Sequence, residues 1–195
     1  MSNPSNPISE IGARGRTRRA ILSAAASVLS RSRGATLAEI AAAAGIGRST
    51  LQRYYPDREE LESAVVEDSL RLLDEALADA RIEEGAPLEA LRRLVTAMLG
   101  VGDQVLFLYG DPRITEAVEA REEPDTVAED IRRLIGRGQA EGVLDSGVGP
   151  EWIEHVLWAQ VSAGCMAVGG GDLPRHGAAV QVIRTLEHGI GARRA

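Results

Sequence analysis

The amino-acid sequence predicts an all-α protein of about nine helices, with a small three-helix head followed by a larger helical body. Apolar residues recur at helical spacing in nearly every segment, and the alternating apolar runs that indicate strands are missing. Capping residues, glycines and prolines separate the segments at lengths typical of helices. With 195 residues, the chain is long enough for one sizeable core or for a small head on a larger body.

The head is predicted from local start and stop signals. A first helix covers about residues 15–31, where apolar side chains lie three or four positions apart. The second helix opens at Thr36, whose hydroxyl can accept from the backbone of Glu39 while that carboxylate reaches back, and it ends near residue 44. A third helix over about residues 48–54 is stopped by a proline, and a fourth covers about residues 57–82.

A polar break at residues 83–87 is the seam that the sequence favours between head and body. The motif of the head is complete earlier, so we assign residues 14–60 to the head and residues 61–195 to the body. The first body helix is apolar enough to be buried, with Gly100 and Gly102 loosening its middle. The predicted body helices cover about residues 88–108, 111–120, 124–140, 151–168 and 173–190.

Charge divides the chain in the same way as the helices do. The net charge is −7, which taken alone argues against a nucleic-acid partner. Residues 1–58, however, have a balance of +6 and the remaining residues a balance of −13. A basic head on an acidic body would confine the attraction for phosphate to the head. A solvated cluster of arginines is the alternative interpretation of residues 14–19.

Several classes of protein are disfavoured by composition. No apolar run is long enough to span a bilayer. Residues 1–13 are polar, without the apolar segment of a secretory signal, and are expected to be a disordered lead-in. The single cysteine, Cys165, permits no intrachain disulfide and suits the reducing cytoplasm. We expect no metal and no cofactor, since His155, His176 and His188 have no metal-ligand spacing.

Residues 36–61 contain the spacing of a helix-turn-helix. Gly45, Ile46 and Gly47 form a turn of the required length between two short helices, and the small Ala41 lets these helices approach closely. Apolar Ile40, Ile46 and Leu51 fall where the core of the motif must be. The outer face of the third helix then presents side chains able to hydrogen-bond base edges in the major groove: Arg48, Ser49, Gln52 and Arg53. Near the helix ends lie candidate phosphate contacts: Thr36, Thr50, Tyr54 and Arg58.

Residues 18–61 resemble the DNA-binding head of TetR-type transcriptional regulators. The resemblance rests on many fixed spacings, among them Ile21-Leu22-x-Ala24-Ala25, Gly34, Thr36, Glu39-Ile40-Ala41-x-x-Ala44-Gly45-Ile46, Ser49-Thr50-Leu51, Tyr54-Tyr55-Pro56 and Arg58-Glu59-x-Leu61. It implies a cytoplasmic homodimer that binds a pseudo-palindromic double-stranded operator, represses transcription, and leaves DNA when a small-molecule effector fills the body. It also implies that Arg16 and Arg18 lie beside the duplex, where they can reach phosphates.

Gln52 is the departure with consequences for specificity. The family commonly has tyrosine at this position, phenylalanine where Tyr55 stands and lysine where Arg58 stands. Tyr55 and Arg58 keep the aromatic and basic character, whereas an amide in place of a phenol should change the preferred bases. No operator sequence can therefore be carried over from the family.

The body supplies weaker candidates. Residues expected around a central effector pocket are Met98, Phe107, Tyr109, Arg121, His155, Trp158, Cys165 and Met166, each of which has ordinary packing or a surface ion pair as its alternative. The last two helices are too apolar for a monomer surface. Their predicted dimer-interface residues are Leu157, Val161, Gly164, Val180, Ile183 and Leu186.

Two other classes of protein fit the sequence less well than a regulator does. A small helical enzyme would need a nucleophile beside a base, and Cys165 in its apolar helix has none evident. A helical adaptor that used the head for protein contact alone would not need Arg48, Gln52 and Arg53 together on one short helix.

Overall fold

The computed structural model describes residues 7–120 and 126–190, and within these ranges it contains ten helices and no strand. This confirms the predicted all-α class. The helices are α1 (Pro7–Arg31), α2 (Leu37–Ala43), α3 (Arg48–Tyr54), α4 (Arg58–Ala80), α5 (Pro87–Gly100), α6 (Gly102–Tyr109), α7 (Pro112–Glu119), α8 (Thr126–Ala140), α9 (Pro150–Gly169) and α10 (Arg175–Ile190).

The structure has one helix more than the sequence predicted, because the segment predicted as a single helix over residues 88–108 forms two helices, α5 and α6. The backbone leaves the helical region at Val101, with φ −110° and ψ 34°, between α5 and α6. Glycines on both sides of Val101 lower the cost of this break. Both helices pack against α9.

The N-terminal prediction needs a correction. Helix α1 begins at Pro7, so residues 7–13 are helical, although they were expected to belong to a disordered lead-in. Proline suits the first position of a helix because its missing N–H would have no partner there. The rest of the predicted lead-in, residues 1–6, lies outside the described residues.

The chain divides into two compact units, one ending at Ser69 and the other beginning at Leu70. The division falls inside α4, later than the assigned boundary at residues 60 and 61 and earlier than the predicted seam. Residues 83–86 instead belong to the turn between α4 and α5, and Pro87 is the first residue of α5, all within the second unit. A continuous helix thus links the head to the body along the chain.

The head has a small core to which each of its helices contributes. Ile21 and Leu29 of α1, Ile40 of α2, Leu51 of α3 and Leu61 of α4 are all fully buried. Helix α2 packs against both α1 and α3. Burial of these side chains stabilises two helices of seven residues each that would be too short to persist alone.

In the body, α9 packs against α5, α6, α8 and α10. At Gly164 the helices meet so closely that an added Cβ would lie 2.8 Å from Val182 Cγ2 and 2.9 Å from Leu99 Cδ2. Glycine at this position therefore lets α10 and α5 approach α9. In the part of the chain that the structure describes, no helix is long and apolar enough to cross a membrane.

Two arginines fix the turn that follows α4. Arg93 of α5 donates to the carbonyls of Ala80, Arg81 and Glu84, each at 2.7 Å. Arg137 of α8 donates to Ile82 at 2.5 Å and to the carbonyls of Glu83 and Gly85. The carbonyl of Ala80, at the C-terminal end of α4 where the helix offers no partner, is satisfied in this way, and the other carbonyls belong to the turn itself.

Candidate DNA-binding surface and effector-binding residues

The turn between α2 and α3 is built as the sequence predicts. The Thr36 hydroxyl accepts from the Glu39 backbone N–H at 3.2 Å, and the Thr36 N–H donates to Glu39 Oε2 at 2.6 Å. The bond from the Thr36 N–H, with a second from the Thr36 hydroxyl to the same carboxylate oxygen, favours the ionised form and lowers the pKa of the Glu39 carboxyl. Gly45 follows with φ +68°, a conformation that residues with a Cβ rarely adopt. The capping box and the glycine together place α3 relative to α2.

Helix α3 separates a buried side from an exposed side. Leu51 is completely buried against α2. The four side chains predicted to contact bases, Arg48, Ser49, Gln52 and Arg53, are all exposed. The exposed side of α3 therefore carries two guanidinium groups, an amide and a hydroxyl, and none of them is part of the core. This surface can hydrogen-bond base edges and attract phosphate.

The predicted phosphate contacts differ in how their side chains are already engaged. Arg16 is exposed on α1, while Thr50 and Tyr54 are half-buried on α3. Thr36 also donates its hydroxyl hydrogen to Glu39 Oε2, at 2.8 Å. This hydroxyl hydrogen is the only one that the side chain can donate, so none is left for a phosphate while the capping box is formed.

Arg58, predicted as a phosphate contact, is a bridge inside the head. Its two terminal nitrogens donate to the carbonyls of Arg33 and Ala35, each at 2.5 Å, and its Nε donates to Glu62 Oε1 at 2.7 Å. The first turn of α4 is thereby fastened to the turn between α1 and α2. These contacts weigh against the predicted role, because a phosphate would have to compete with three bonds already made.

Arg18 joins two segments that are distant in sequence. Its Nε donates to the Tyr55 hydroxyl at 3.2 Å, and this bond, with the acidic Asp68 and Glu67 nearby, raises the pKa of the guanidinium. Tyr55 itself is buried. A phenylalanine at this position could not make the bond. The Tyr55 hydroxyl accepts it and so links the middle of α1 to the end of the helix-turn-helix motif.

The structure places the predicted pocket residues in three different environments. Met98, Phe107 and Cys165 are buried, Trp158 is half-buried, and Tyr109, His155 and Met166 are exposed. Arg121 lies outside the described residues. An open groove of about 360 Å³ on the body is lined elsewhere, by Asp79, Arg92, Thr96 and their neighbours. None of the seven described candidates lines this groove, and the role of all eight in binding an effector stays a prediction.

Tyr109 and Trp158 are the two predicted pocket residues that contact each other. Their ring centroids are 6.4 Å apart and the planes are inclined by 31°. Tyr109 is the last residue of α6, and Trp158 lies near the middle of α9. The sequence predicted each ring as a pocket residue but did not predict that the two rings contact each other.

Cys165 is packed and unreactive in character. Burial raises the pKa of the thiol to about 11, so that the neutral form dominates at neutral pH. The thiol faces α6, where an added Cβ on Gly102 would lie 3.1 Å from its sulfur. No group of three potential metal ligands occurs among the described residues.

The predicted dimer interface is wrong for four of its six residues. Leu157, Val161, Gly164 and Leu186 are buried within the chain, so they have no surface to offer a partner. Their helices are apolar on two sides, and these residues lie on the side that faces the core of the body. Of the remaining two, Val180 is exposed and Ile183 is half-buried.

An exposed apolar stripe on α9 was missed by the sequence reasoning. Trp152 is 65% exposed and Met166 is 58% exposed, and the exposed Ala159 and Ala163 lie between them. Separations of seven, four and three residues place these four side chains on one face of the helix. The same spacing was available in the sequence and could have identified the face.

Comparison with known proteins agrees with this architecture. Residues 21–65 match the model of the family described as "Bacterial regulatory proteins, tetR family". The chain is 40% identical over 185 residues to the HTH-type transcriptional repressor LfrR of Mycolicibacterium smegmatis, covering 95% of this chain and 96% of that protein. It is also 33% identical over 90 residues to the HTH-type transcriptional regulator NfxB of Pseudomonas aeruginosa, covering 46% of this chain and 48% of that protein.

Among solved structures, the TetR-like transcriptional regulator LfrR from Mycobacterium smegmatis matches with a TM-score of 0.72 and 37% identity, over 92% of this chain and 98% of that one. LfrR in complex with proflavine matches with a TM-score of 0.71 and 39% identity, over 91% and 98%. Similarity of this extent covers head and body alike. The protein belongs to the tetR family of bacterial regulatory proteins and is a transcriptional regulator with a helix-turn-helix head.

Proposed function

We propose that the protein is a repressor that binds operator DNA through α3 and leaves it when a small molecule binds the body. The observation that carries this proposal is the exposed set Arg48, Ser49, Gln52 and Arg53 on a helix whose other side is completely buried. A relative that covers nearly the whole chain is named a repressor, which supports the same direction of control.

The operator would be pseudo-palindromic because the regulator would bind it as a homodimer. The exposed stripe of Trp152, Ala159, Ala163 and Met166, with Val180 of the adjacent α10, is the surface we assign to the partner copy. Two small residues flanked by large apolar ones suit close packing between helices. The head-to-head distance of the dimer would then set the spacing of the half-sites.

Release would follow from a change in that distance. An effector that binds one state of the dimer more tightly shifts the population toward this state, in which the heads no longer fit successive major grooves. A relative has been solved with proflavine bound, which supports a small-molecule effector for this chain. We further propose that the protein acts in the cytoplasm, has no cofactor and catalyses no reaction.

A gel-shift titration with the DNA upstream of the protein's own gene tests the proposal. We expect salt-sensitive binding, loss of binding in Arg48→Ala, and no retention of a scrambled duplex of equal length. Binding that ignores both sequence and salt would overturn the proposal. A reporter gene under the same upstream DNA should rise in expression when the regulator gene is deleted, and a fall would contradict repression.

The dimer has a test of its own in two adjacent residues of α10. Val180→Glu places a charge in the proposed interface, whereas Gln181→Glu places the same charge at an exposed neighbour on another side of the helix. Sedimentation equilibrium should give a monomer for Val180→Glu and a dimer for Gln181→Glu. Equal association of the two variants would exclude this surface as the interface.

A further inference from the structure

The contact of Tyr109 with Trp158 is fixed by close packing elsewhere along the same two helices. Gly102 of α6 lies against Cys165 of α9, with only 3.1 Å between an added Cβ and the sulfur. Tyr109 is seven residues after Gly102, and Trp158 is seven residues before Cys165. The two helices therefore run antiparallel, in contact through small side chains at one end and through two aromatic rings at the other.

The aromatic end of this helix pair is incompletely buried. Tyr109 is 47% exposed and Trp158 is half-buried, whereas Phe107 and Leu108, immediately before Tyr109, are fully buried. Aromatic side chains contribute most to stability when they are buried, so two partly exposed rings in contact leave apolar area unused by the fold. A third planar ring could cover that area by stacking on this pair.

A carboxylate lies on the same helix as Trp158 and close to it. Glu154 lies one helical turn before Trp158 on the same face of α9, where side chains four residues apart are neighbours. Its side chain is only 17% exposed, and it accepts from Arg132 Nε at 3.2 Å. Arg132 is 54% exposed, so its guanidinium can return to water when another cation takes its place at the carboxylate.

We propose that Tyr109, Trp158 and Glu154 form the effector site and that its ligand is a planar aromatic cation. The rings would stack on the ligand, and its positive charge would replace Arg132 at the Glu154 carboxylate. Both the carboxylate and the negative faces of the two rings attract a positive charge, so a cationic ligand should bind more tightly than a neutral one. This inference rests on the proposed ligand-released repressor, and it adds the location and the charge of the effector.

Fluorescence titration of the full-length protein with two tricyclic probes tests the site. Proflavine is a planar cation, and acridone is a neutral planar molecule of similar size. We expect Glu154→Gln to weaken proflavine about tenfold while changing acridone less than twofold. Glu151→Gln, which removes an exposed carboxylate from the preceding turn, should change neither probe.

The rings are tested separately from the charge. Trp158→Leu should weaken both probes roughly five- to thirtyfold, and Trp158→Phe should restore most of the loss because it keeps an aromatic face. Proflavine affinity unchanged within twofold in both Glu154→Gln and Trp158→Leu would overturn the inference. Absence of proflavine binding by the wild-type protein would overturn it as well.

Operator binding distinguishes failure of the site from failure of the proposed function. Each variant is first titrated with operator DNA in the absence of a probe, and native affinity there shows that both units are folded. If the wild-type protein binds its operator but neither probe, the effector site is wrong and the proposed regulator stands. If it binds no operator, the proposed function itself fails, whatever the probes do.

Discussion

Replacement of Arg58 by alanine decides between the two roles that sequence and structure give this residue. In the structure its guanidinium bonds to two carbonyls of the turn between α1 and α2 and to Glu62. Two bonds from a charged donor contribute nominally about 3–6 kcal/mol. The side chain is 39% exposed, so water can replace the lost donors in part and the Glu62 pair adds little. We therefore expect the head to lose about 1.5–3 kcal/mol of stability.

Urea denaturation followed by circular dichroism measures this loss, with Arg48→Ala as the matched control. Arg48 is exposed on α3, and its removal should change stability by less than about 0.5 kcal/mol. The salt dependence of operator binding separates Arg58 from a phosphate contact. Arg16→Ala, which removes an exposed candidate for phosphate binding, should reduce the slope by about 0.9, and Arg58→Ala should leave it nearly unchanged.

Arg58→Ala with native stability, weaker binding to all DNA sequences and a reduced salt slope would refute the structural role. That combination is what a phosphate ligand would produce. Lower stability with a native salt slope in the folded fraction would establish the bridge. The two hypotheses thus make opposite predictions in two independent measurements.

Three other predictions concern single side chains. Gly164→Ala should lower the free energy of unfolding by about 1–3 kcal/mol through overpacking, whereas Gly100→Ala, with no atom within 4 Å, should be neutral or stabilising; equal effects would contradict the close helix contact. Cys165 should not react with a thiol reagent at pH 8 until urea unfolds the body. Because its pKa is about 11 when folded and 9.0 ordinarily, the stability it contributes is complete below pH 9 and is lost, by about 2–3 kcal/mol, as pH rises through 11. Gln52→Ala should relax discrimination at one base pair by about 1–3 kcal/mol in competition gel shifts, and an equal loss on all sequences would exclude a base contact.

The helix-turn-helix could be predicted from sequence because its signals are local. The capping box of Thr36 and Glu39 involves residues three apart, and the left-handed turn needs only Gly45. Leu51 is apolar and Gln52 is polar, so the sequence predicts burial of the first side chain and exposure of the second. Each of these features is decided within a few residues, and the structure agrees with the prediction for each.

The roles of individual arginines could not be predicted in the same way. The sequence shows that Arg58 is a donor near a helix start, but its acceptors are carbonyls 23 and 25 residues away. Arg18 finds the hydroxyl of Tyr55 over a separation of 37 residues. A guanidinium offers five N–H donors to any acceptor within reach, so its partner depends on the tertiary fold and not on neighbouring residues.

The residues predicted to meet a partner copy on α9 lie in the core because the helix is apolar on more than one face, and only packing decides which face meets the core. Gly164 determines which face of α9 is buried, because its missing Cβ lets Leu99 and Val182 contact the helix there. At about 100° per residue, Met166 lies roughly 200° around the helix from Gly164. Trp152 falls within about 40° of Met166 by the same rotation. The glycine that draws α5 and α10 against α9 therefore also turns the tryptophan outward, where a second copy of the chain can cover it.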